Sequence, residues 1–136
     1  MAGSRDNYTD IYAPLAGQSV LIRTLRDSPR ITRAYFRLPD GGMDGNGYEV
    51  TGYESIRDLY FGVIGTINDA DGDTSFTLAT LKQALGEIFT SRKPVRVRAL
   101  DHLSNFDAGD HADHIASARI AREVASTYAP NAAFAG

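Results

Sequence analysis

Two of the three histidines in this chain lie three positions apart, in the stretch FDAGDHADHIASARIAREVA. His111 and His114 would share one face of a helix turn, because side chains at i and i+3 are neighbours there. A carboxylate that hydrogen-bonds one imidazole nitrogen fixes the tautomer of the ring, as a metal site or an acid–base site requires. The pair is compatible with such a site and also with an ordinary helix start. Aspartates surround the pair at Asp101, Asp107, Asp110 and Asp113.

The start of this helix is expected at Asp110, whose carboxylate would act as the N-cap. Asp113 follows three residues later, where a negative charge favours the helix dipole. The turn follows a loop that leaves the carboxyl end of a predicted strand, and ligands bind at that edge of open α/β sheets. His102 lies at the end of the same strand, so a cluster of His102, His111 and His114 is an alternative. A packing role is the interpretation we prefer for His102.

The elements that would position these residues follow from the hydrophobic periodicity. Residues 12–17 (YAPLAG) indicate a short helix end or a turn. A glycine-rich loop, PDGGMDGNG, covers residues 39–47 and is long enough to be functional. Together the elements predict one α/β layered domain over residues 1–136, with about three strands. The predicted strands are 19–25, 31–38 and 95–100, and the predicted helices are 53–68, 76–89 and 111–127.

Composition excludes several classes of protein. A chain of 136 residues with 43% hydrophobic and 23% charged residues is typical of one soluble globular domain. The net charge of -3 and the scattered basic residues argue against nucleic-acid binding. The chain contains no cysteine, which excludes disulfides and thiolate metal ligands. No apolar run is long enough to cross a membrane.

The motif GDHADHIASARIA resembles the second signature of the LmbE-like, or PIG-L, family of zinc-dependent N-acetylglucosamine deacetylases. In that family a His-Pro-Asp-His motif usually precedes a helix. YFRLPDGGMDGNGY is similar to the family segment in which a strand runs into a Leu-Pro-Asp-Gly loop. SIRDLYFGVIGTINDADGDTSFTLATLKQAL resembles a helix, an Asp-Gly turn and a Thr-started helix of longer, fungal-type members. The resemblance runs from Ile31 to Val124, roughly two thirds of the chain.

The resemblance implies a Rossmann-like layered fold and a zinc ion that activates water to attack an acetamide carbonyl. His114 would be a zinc ligand. His111 would stabilise the oxyanion or protonate the leaving amine, and Asp113 would be the orienting carboxylate. Asp40, in the Leu-Pro-Asp-Gly loop, would contact sugar hydroxyls. The implied partner is an N-acetylated amino-sugar conjugate.

The first signature of the family, Ala-His-Pro-Asp-Asp, has no counterpart here, since the only Pro-Asp pair is Pro39-Asp40. The opening AGSRDNY resembles the point where family members read Ala-Gly-Asp after their second strand. We therefore expect a member without its first strand, catalytic loop and first helix, and with impaired activity as an isolated chain. The alternative is a non-catalytic carbohydrate-binding or interaction domain. An apolar face exposed where a strand is missing would favour homo-oligomers.

Two further stretches invite other interpretations. DADGDTSFT, residues 69–77, departs from the EF-hand pattern, so a turn between two helices, with Thr77 or Ser75 as the cap, is expected instead. GGMDGNG lacks the lysine of a phosphate-binding loop. Tyr48 and Tyr53 border this loop and would either stack on a sugar ring or anchor the loop.

Overall fold

The computed structural model describes residues 7–136 and forms a mixed α/β fold with three small sheets and three α-helices. The α/β class agrees with the sequence prediction. The strands are β1 (Tyr8–Leu15), β2 (Gln18–Leu25), β3 (Thr32–Tyr35), β4 (Ile67–Asn68), β5 (Ser75–Phe76), β6 (Arg96–Arg98) and β7 (Ala133–Ala135). The helices are α1 (Ile56–Phe61), α2 (Leu78–Arg92) and α3 (Ala112–Tyr128), with a 3-10 turn at Glu49–Thr51.

The largest sheet is an antiparallel meander in the order β1-β2-β3. Ala16 and Gly17 join the first two strands, and both have positive φ angles, of 48° and 76°, as a type I′ hairpin turn requires. The turn predicted for YAPLAG is therefore present, but a strand precedes it rather than a helix end. β1 is largely exposed and lies at the sheet edge, where Pro14 is tolerated. It lacks a buried apolar face, so its strand character depends on pairing with β2.

The other two sheets have two strands each. β4 and β5 form an antiparallel hairpin, whereas β6 and β7 are parallel and are connected through α3. The segment DADGDTS therefore forms the turn of a hairpin. The sequence had suggested a turn that joins two helices directly, and that prediction is wrong. The strand predicted at 95–100 is confirmed in its central residues, Arg96–Arg98.

Helix α1 is much shorter than the predicted helix 53–68. Gly62 adopts a left-handed conformation with φ 73°, and its N–H bonds to the carbonyls of Asp58 and Leu59. This is a helix-ending arrangement that glycine adopts without a steric penalty. Ile67, which the helical spacing had assigned to the same stripe, is instead fully buried in β4 opposite Phe76. Tertiary pairing therefore overrides the local helical periodicity here.

Helices α2 and α3 form most of the core with the meander. Thr77 caps α2, and Thr77 and Thr80 form a reciprocal capping box, which confirms one of the two caps expected from the sequence. The helices approach closely at Gly86, where an added Cβ would lie 2.5 Å from the Tyr128 ring. The buried cluster comprises Leu15, Val20, Leu59, Ile67, Phe76, Leu81, Ala84, Ile120 and Val124.

An apolar groove separates β3 from the helices and is lined by Ala34, Phe36, Leu81, Leu85 and Ile120. No helix in the described part of the chain is long and apolar enough to cross a membrane. The resemblance noted for AGSRDNY falls mainly on residues 2–6, which lie outside the described residues.

A carboxylate from α2 anchors the first hairpin. Glu87 Oε2 accepts the backbone N–H of Ala16 at 2.9 Å, and this bond, followed by that from Gln83, lowers the pKa of Glu87. A carboxyl whose pKa is lower in the folded state stabilises the fold above its unfolded pKa, about 4.3, and loses that contribution as pH falls through the folded value.

We therefore expect Glu87→Gln to lower stability at neutral pH and to reduce the loss of stability between about pH 5 and pH 3. Urea unfolding across this pH range measures both effects. Glu49→Gln is the control, since that carboxylate lies in an exposed 3-10 turn. A wild-type pH slope retained in Glu87→Gln would contradict the anchoring role.

Candidate functional site at the start of helix α3

The first turn of α3 is capped by His111 and not by Asp110. The Nδ1 atom of His111 accepts the backbone N–H of Asp113 at 3.2 Å, in the position of an N-cap acceptor. Asp110 instead accepts the backbone N–H of His111 at 2.7 Å through Oδ1. The cap thus lies one residue later than expected, because the His111 imidazole accepts the Asp113 N–H that Asp110 was expected to accept. The Asp110 carboxylate instead contacts the backbone N–H of His111 and the side chain of His114.

The two histidine side chains are neighbours, as their spacing predicted, and their rings stack with centroids 4.9 Å apart and planes 29° apart. Nδ1 of His114 lies 3.1 Å from Oδ1 of Asp110. An ionised carboxylate can only accept a hydrogen bond, so this contact requires a proton on Nδ1 of His114, and Nε2 of the neutral ring then keeps its lone pair. In His111 the order is reversed, because Nδ1 accepts a backbone N–H and the proton of the neutral ring must be on Nε2.

The backbone N–H of His111 and then the His114 side chain lower the pKa of Asp110. The carboxylate is therefore ionised near neutral pH and remains an acceptor for the histidine.

The Nε2 atom of His111 lies 3.2 Å from Oδ1 of Asp40. This contact joins the glycine-rich loop to the helix start, two segments that the sequence had singled out separately. Asp40 Oδ1 also accepts the N–H of Gly42 at 2.8 Å, while 69% of the Asp40 side chain is exposed. His111 is only 21% exposed. One face of the site is therefore held by protein contacts, and the Asp40 side remains accessible to a ligand.

Asp113 connects the same two segments from the other side. Its Oδ2 accepts the N–H of Gly41 at 2.6 Å across 72 positions of sequence, and its Oδ1 lies 3.4 Å from the N of Arg57. The backbone N–H of Ala112 donates to the carbonyl of Met43 at 3.0 Å and adds a second link between helix and loop. The Asp113 carboxylate therefore holds the loop against the start of the helix.

Two residues that the sequence analysis missed make this junction possible. Ser55 is fully buried, donates to the carbonyl of Gly45 at 2.6 Å and accepts the N–H of Asp58 at 3.1 Å. It thus caps α1 and holds the loop at once. Gly41 is so enclosed that an added Cβ would lie 2.5 Å from Ser55 Cβ and 2.8 Å from Asp113 Oδ1. In the sequence, the run of glycines indicated a loop of functional interest. It did not show which glycine lies so close to other atoms that a side chain would not fit.

Two groups among the described residues place three ligand atoms within 4.8 Å of one another and could hold a metal ion. The first is Asp40, His111 and Asp113, and the second is Asp69, Asp71 and Asp73. The second group lies in the β4–β5 turn. There Asp69 accepts two backbone N–H groups and Asp71 pairs with Arg37, so the hairpin itself accounts for these carboxylates.

The first group matches a zinc site only in part. Zinc takes an imidazole lone pair, but the Nδ1 lone pair of His111 is used by the helix cap and its Nε2 carries a proton. Both oxygens of Asp113 face backbone N–H groups. The His114 ring is half-exposed, and its Nε2 contacts no donor among the described residues. Its Nδ1, on the other side of the ring, contacts Asp110. At the start of α3 the described residues thus supply one accessible imidazole nitrogen, on His114, and not the three ligands that a zinc site requires.

His102 is not part of either group. Its ring packs edge-on against Phe134 at 5.2 Å, and its Nδ1 is buried without a hydrogen-bond partner. The structure thus gives His102 the packing role expected for it. Tyr48 and Tyr53 beside the glycine-rich loop are both more than half exposed.

No known protein-family model, curated protein or solved structure matches this chain.

Proposed function

We propose that this chain is a member of the LmbE-like, or PIG-L, deacetylase family and carries one half of a site that removes the acetyl group from N-acetylated amino-sugar conjugates. The observation that carries the proposal is the meeting of Asp40 and His111, 3.2 Å apart. The Leu-Pro-Asp-Gly loop and the His-Ala-Asp-His motif were assigned to the family from separate stretches. Their convergence at one accessible site is what a shared catalytic role requires.

His111 is suited to the proton-transfer part of such a reaction. Hydrolysis of an acetamide adds water to the carbonyl carbon and breaks the C–N bond, so acetate leaves and the amine nitrogen gains a proton. The Nε2 atom of His111 lies 3.2 Å from Oδ1 of Asp40, whose side chain is 69% exposed. It would stabilise the oxyanion of the tetrahedral intermediate and then donate its proton to the departing amine.

Asp40 is suited to binding the sugar. Its Oδ1 accepts from Gly42 and faces His111, whereas its Oδ2 accepts no hydrogen bond from the described residues. A sugar hydroxyl that donates to Oδ2 would lie next to the reacting acetamide. The same contact would hold Asp40 against His111 and keep the imidazole in place.

The metal that the family implies is zinc, which supplies an activated water when it is bound. His114 would provide one ligand through Nε2. The remaining ligands and the general base would come from residues outside 7–136 or from another chain, because the carboxylates of the site are engaged as described above. This incomplete donor set also supports the second candidate, a carbohydrate-binding domain that does not catalyse hydrolysis.

The two candidates are separated by measuring sugar binding and acetate release on the same sample. We expect N,N′-diacetylchitobiose to perturb the amide NMR signals of residues 40–42 and 111–114, and Asp40→Ala to weaken this binding. Acetate release that His111→Gln abolishes would establish the enzyme. Binding without acetate release, with zinc present, would establish the binding domain. If the sugar perturbs no signal at the site, both candidates are wrong.

The matched control for Asp40→Ala is Asp107→Ala. Asp107 is an exposed carboxylate that precedes the same helix, and it makes no hydrogen bond to the described residues. A general electrostatic effect on sugar binding would appear equally in both variants. An effect confined to Asp40→Ala would locate the sugar at the site.

A further inference from the structure

We infer that Asp110 is a positioning residue that holds His114 in the Nδ1–H tautomer, while the capping bond of His111 holds that ring in the opposite, Nε2–H tautomer. The two stacked rings would then present unlike groups from neighbouring positions: a lone pair on His114 and an N–H on His111. The functional meaning of this arrangement rests on the proposed function, but the tautomers themselves do not.

One oxygen of Asp110 makes two contacts. Oδ1 of Asp110 accepts the backbone N–H of His111 at 2.7 Å and faces Nδ1 of His114 at 3.1 Å. The bond to the backbone N–H of His111 holds the carboxylate at the start of α3. The position of this oxygen therefore does not depend on its contact with His114. Asp110 precedes the cap residue of α3, and its carboxylate reaches His114 four positions further along the chain.

The tautomer of His111 is set by its role as the helix cap. The backbone N–H of Asp113 can only donate, so the Nδ1 atom that caps the helix must be unprotonated. Its Nε2 then carries the proton of the neutral ring and faces the Asp40 carboxylate at 3.2 Å. The helix cap thus selects the Nε2–H tautomer, and the nearby Asp40 carboxylate favours the same form electrostatically.

The two tautomers suit different chemistry. A neutral imidazole in water favours the Nε2–H tautomer, in which a metal cannot bind Nε2. Asp110 reverses this preference for His114, so that Nε2 is available to a cation, as carboxylate–histidine pairs do at metal sites. His111 keeps the ordinary preference and remains a proton donor. The backbone N–H that His111 accepts and the Asp110 carboxylate that His114 faces thus assign different tautomers to two identical side chains.

Imidazole ¹⁵N NMR on the metal-free chain tests this directly. The spectrum is recorded at about pH 8.5, two units above the ordinary histidine pKa, so that the neutral forms are compared. We expect His114 to show a pyrrole-type Nδ1 and a pyridine-type Nε2, and His111 to show the reverse. With three histidines in the chain, His102→Gln and His114→Gln assign the signals.

Asp110→Ala is expected to return His114 largely to the Nε2–H tautomer and to leave His111 unchanged. Asp110→Asn, which keeps an accepting oxygen, is expected to retain much of the Nδ1–H form. Asp107→Ala is the control and should change neither ring. Two rings with the same tautomer in the wild type, or an Asp110→Ala spectrum equal to wild type, would overturn the inference. If Asp110→Ala does not fold, the wild-type and Asp110→Asn spectra still decide the matter.

A zinc titration followed at His114 Nε2 adds a functional readout. Loss of the orienting carboxylate is expected to weaken zinc binding by about 10- to 100-fold. Opposite tautomers in a chain whose site signals the sugar does not perturb would leave this inference intact and remove the proposed function. The two proposals therefore fail separately.

Discussion

Replacing Gly41 with alanine is expected to destabilise the fold by about 1–3 kcal/mol and to displace Asp113 from its place in the site. The Cβ of the alanine would lie 2.5 Å from Ser55 Cβ and within 3 Å of both Asp113 oxygens. Ser55 is fully buried and held by two hydrogen bonds, so it cannot retreat. The clash must therefore move the Asp113 carboxylate or the loop itself.

Urea unfolding measures the stability of this variant, and the amide NMR signals of residues 41–42 report the lost bond to Asp113. Gly65→Ala is a matched control, because an added Cβ there meets no atom within 4 Å and the backbone is not left-handed. Equal unfolding midpoints for the two variants would show that the loop is not held against Ser55 and Asp113. In that case the geometry on which the proposed site depends would be wrong.

The second large effect is expected at His114. Its Nε2 is the one imidazole lone pair of the site that no protein donor uses, so His114→Ala should remove zinc binding by the chain. The loss should exceed the roughly 10- to 100-fold effect of removing an orienting partner, because the ligand itself is deleted. Wild-type binding is expected to be weak, since the described residues supply only this prepared ligand.

Calorimetric zinc titration of the wild type and His114→Ala checks this expectation. His102→Gln is the control, because it deletes a histidine that belongs to neither candidate metal group. Tight, one-to-one binding by the wild type would mean that Asp40 and Asp113 rearrange to complete the site, or that a second chain does so. Undiminished binding by His114→Ala would remove His114 from any metal site in this protein.

Sugar binding and zinc binding at the proposed site would depend on different residues. A carboxylate held beside a proton-carrying imidazole suits the recognition of a sugar hydroxyl whether or not hydrolysis follows. The sugar-facing half of the proposed site and its metal-dependent half can therefore be tested independently. Binding of the sugar tests Asp40 and His111, whereas zinc binding tests His114 and Asp110.

The sequence alone determined the features that depend on neighbours a few positions apart. The proximity of the two histidines follows from their spacing of three at a helix start. A polar cap before the apolar stripe of α2 was also expected, at Thr77 or Ser75, and the structure has it at Thr77. The strand at 19–25 was evident from its β-branched apolar run. Such features are local, because the residues that stabilise them lie within the same helix turn or the same strand.

The tertiary structure decided the features whose stabilising partners are distant in sequence. β1 has no buried face of its own and becomes a strand by pairing with β2, while Ile67 leaves its helical pattern to pair opposite Phe76. The site itself depends on a hydrogen bond between Gly41 and Asp113, 72 positions apart. Periodicity cannot reveal such a contact, because it exists only when the loop and the helix are packed around Ser55. The sequence therefore identified the chemical groups, and the packing determined which of them meet.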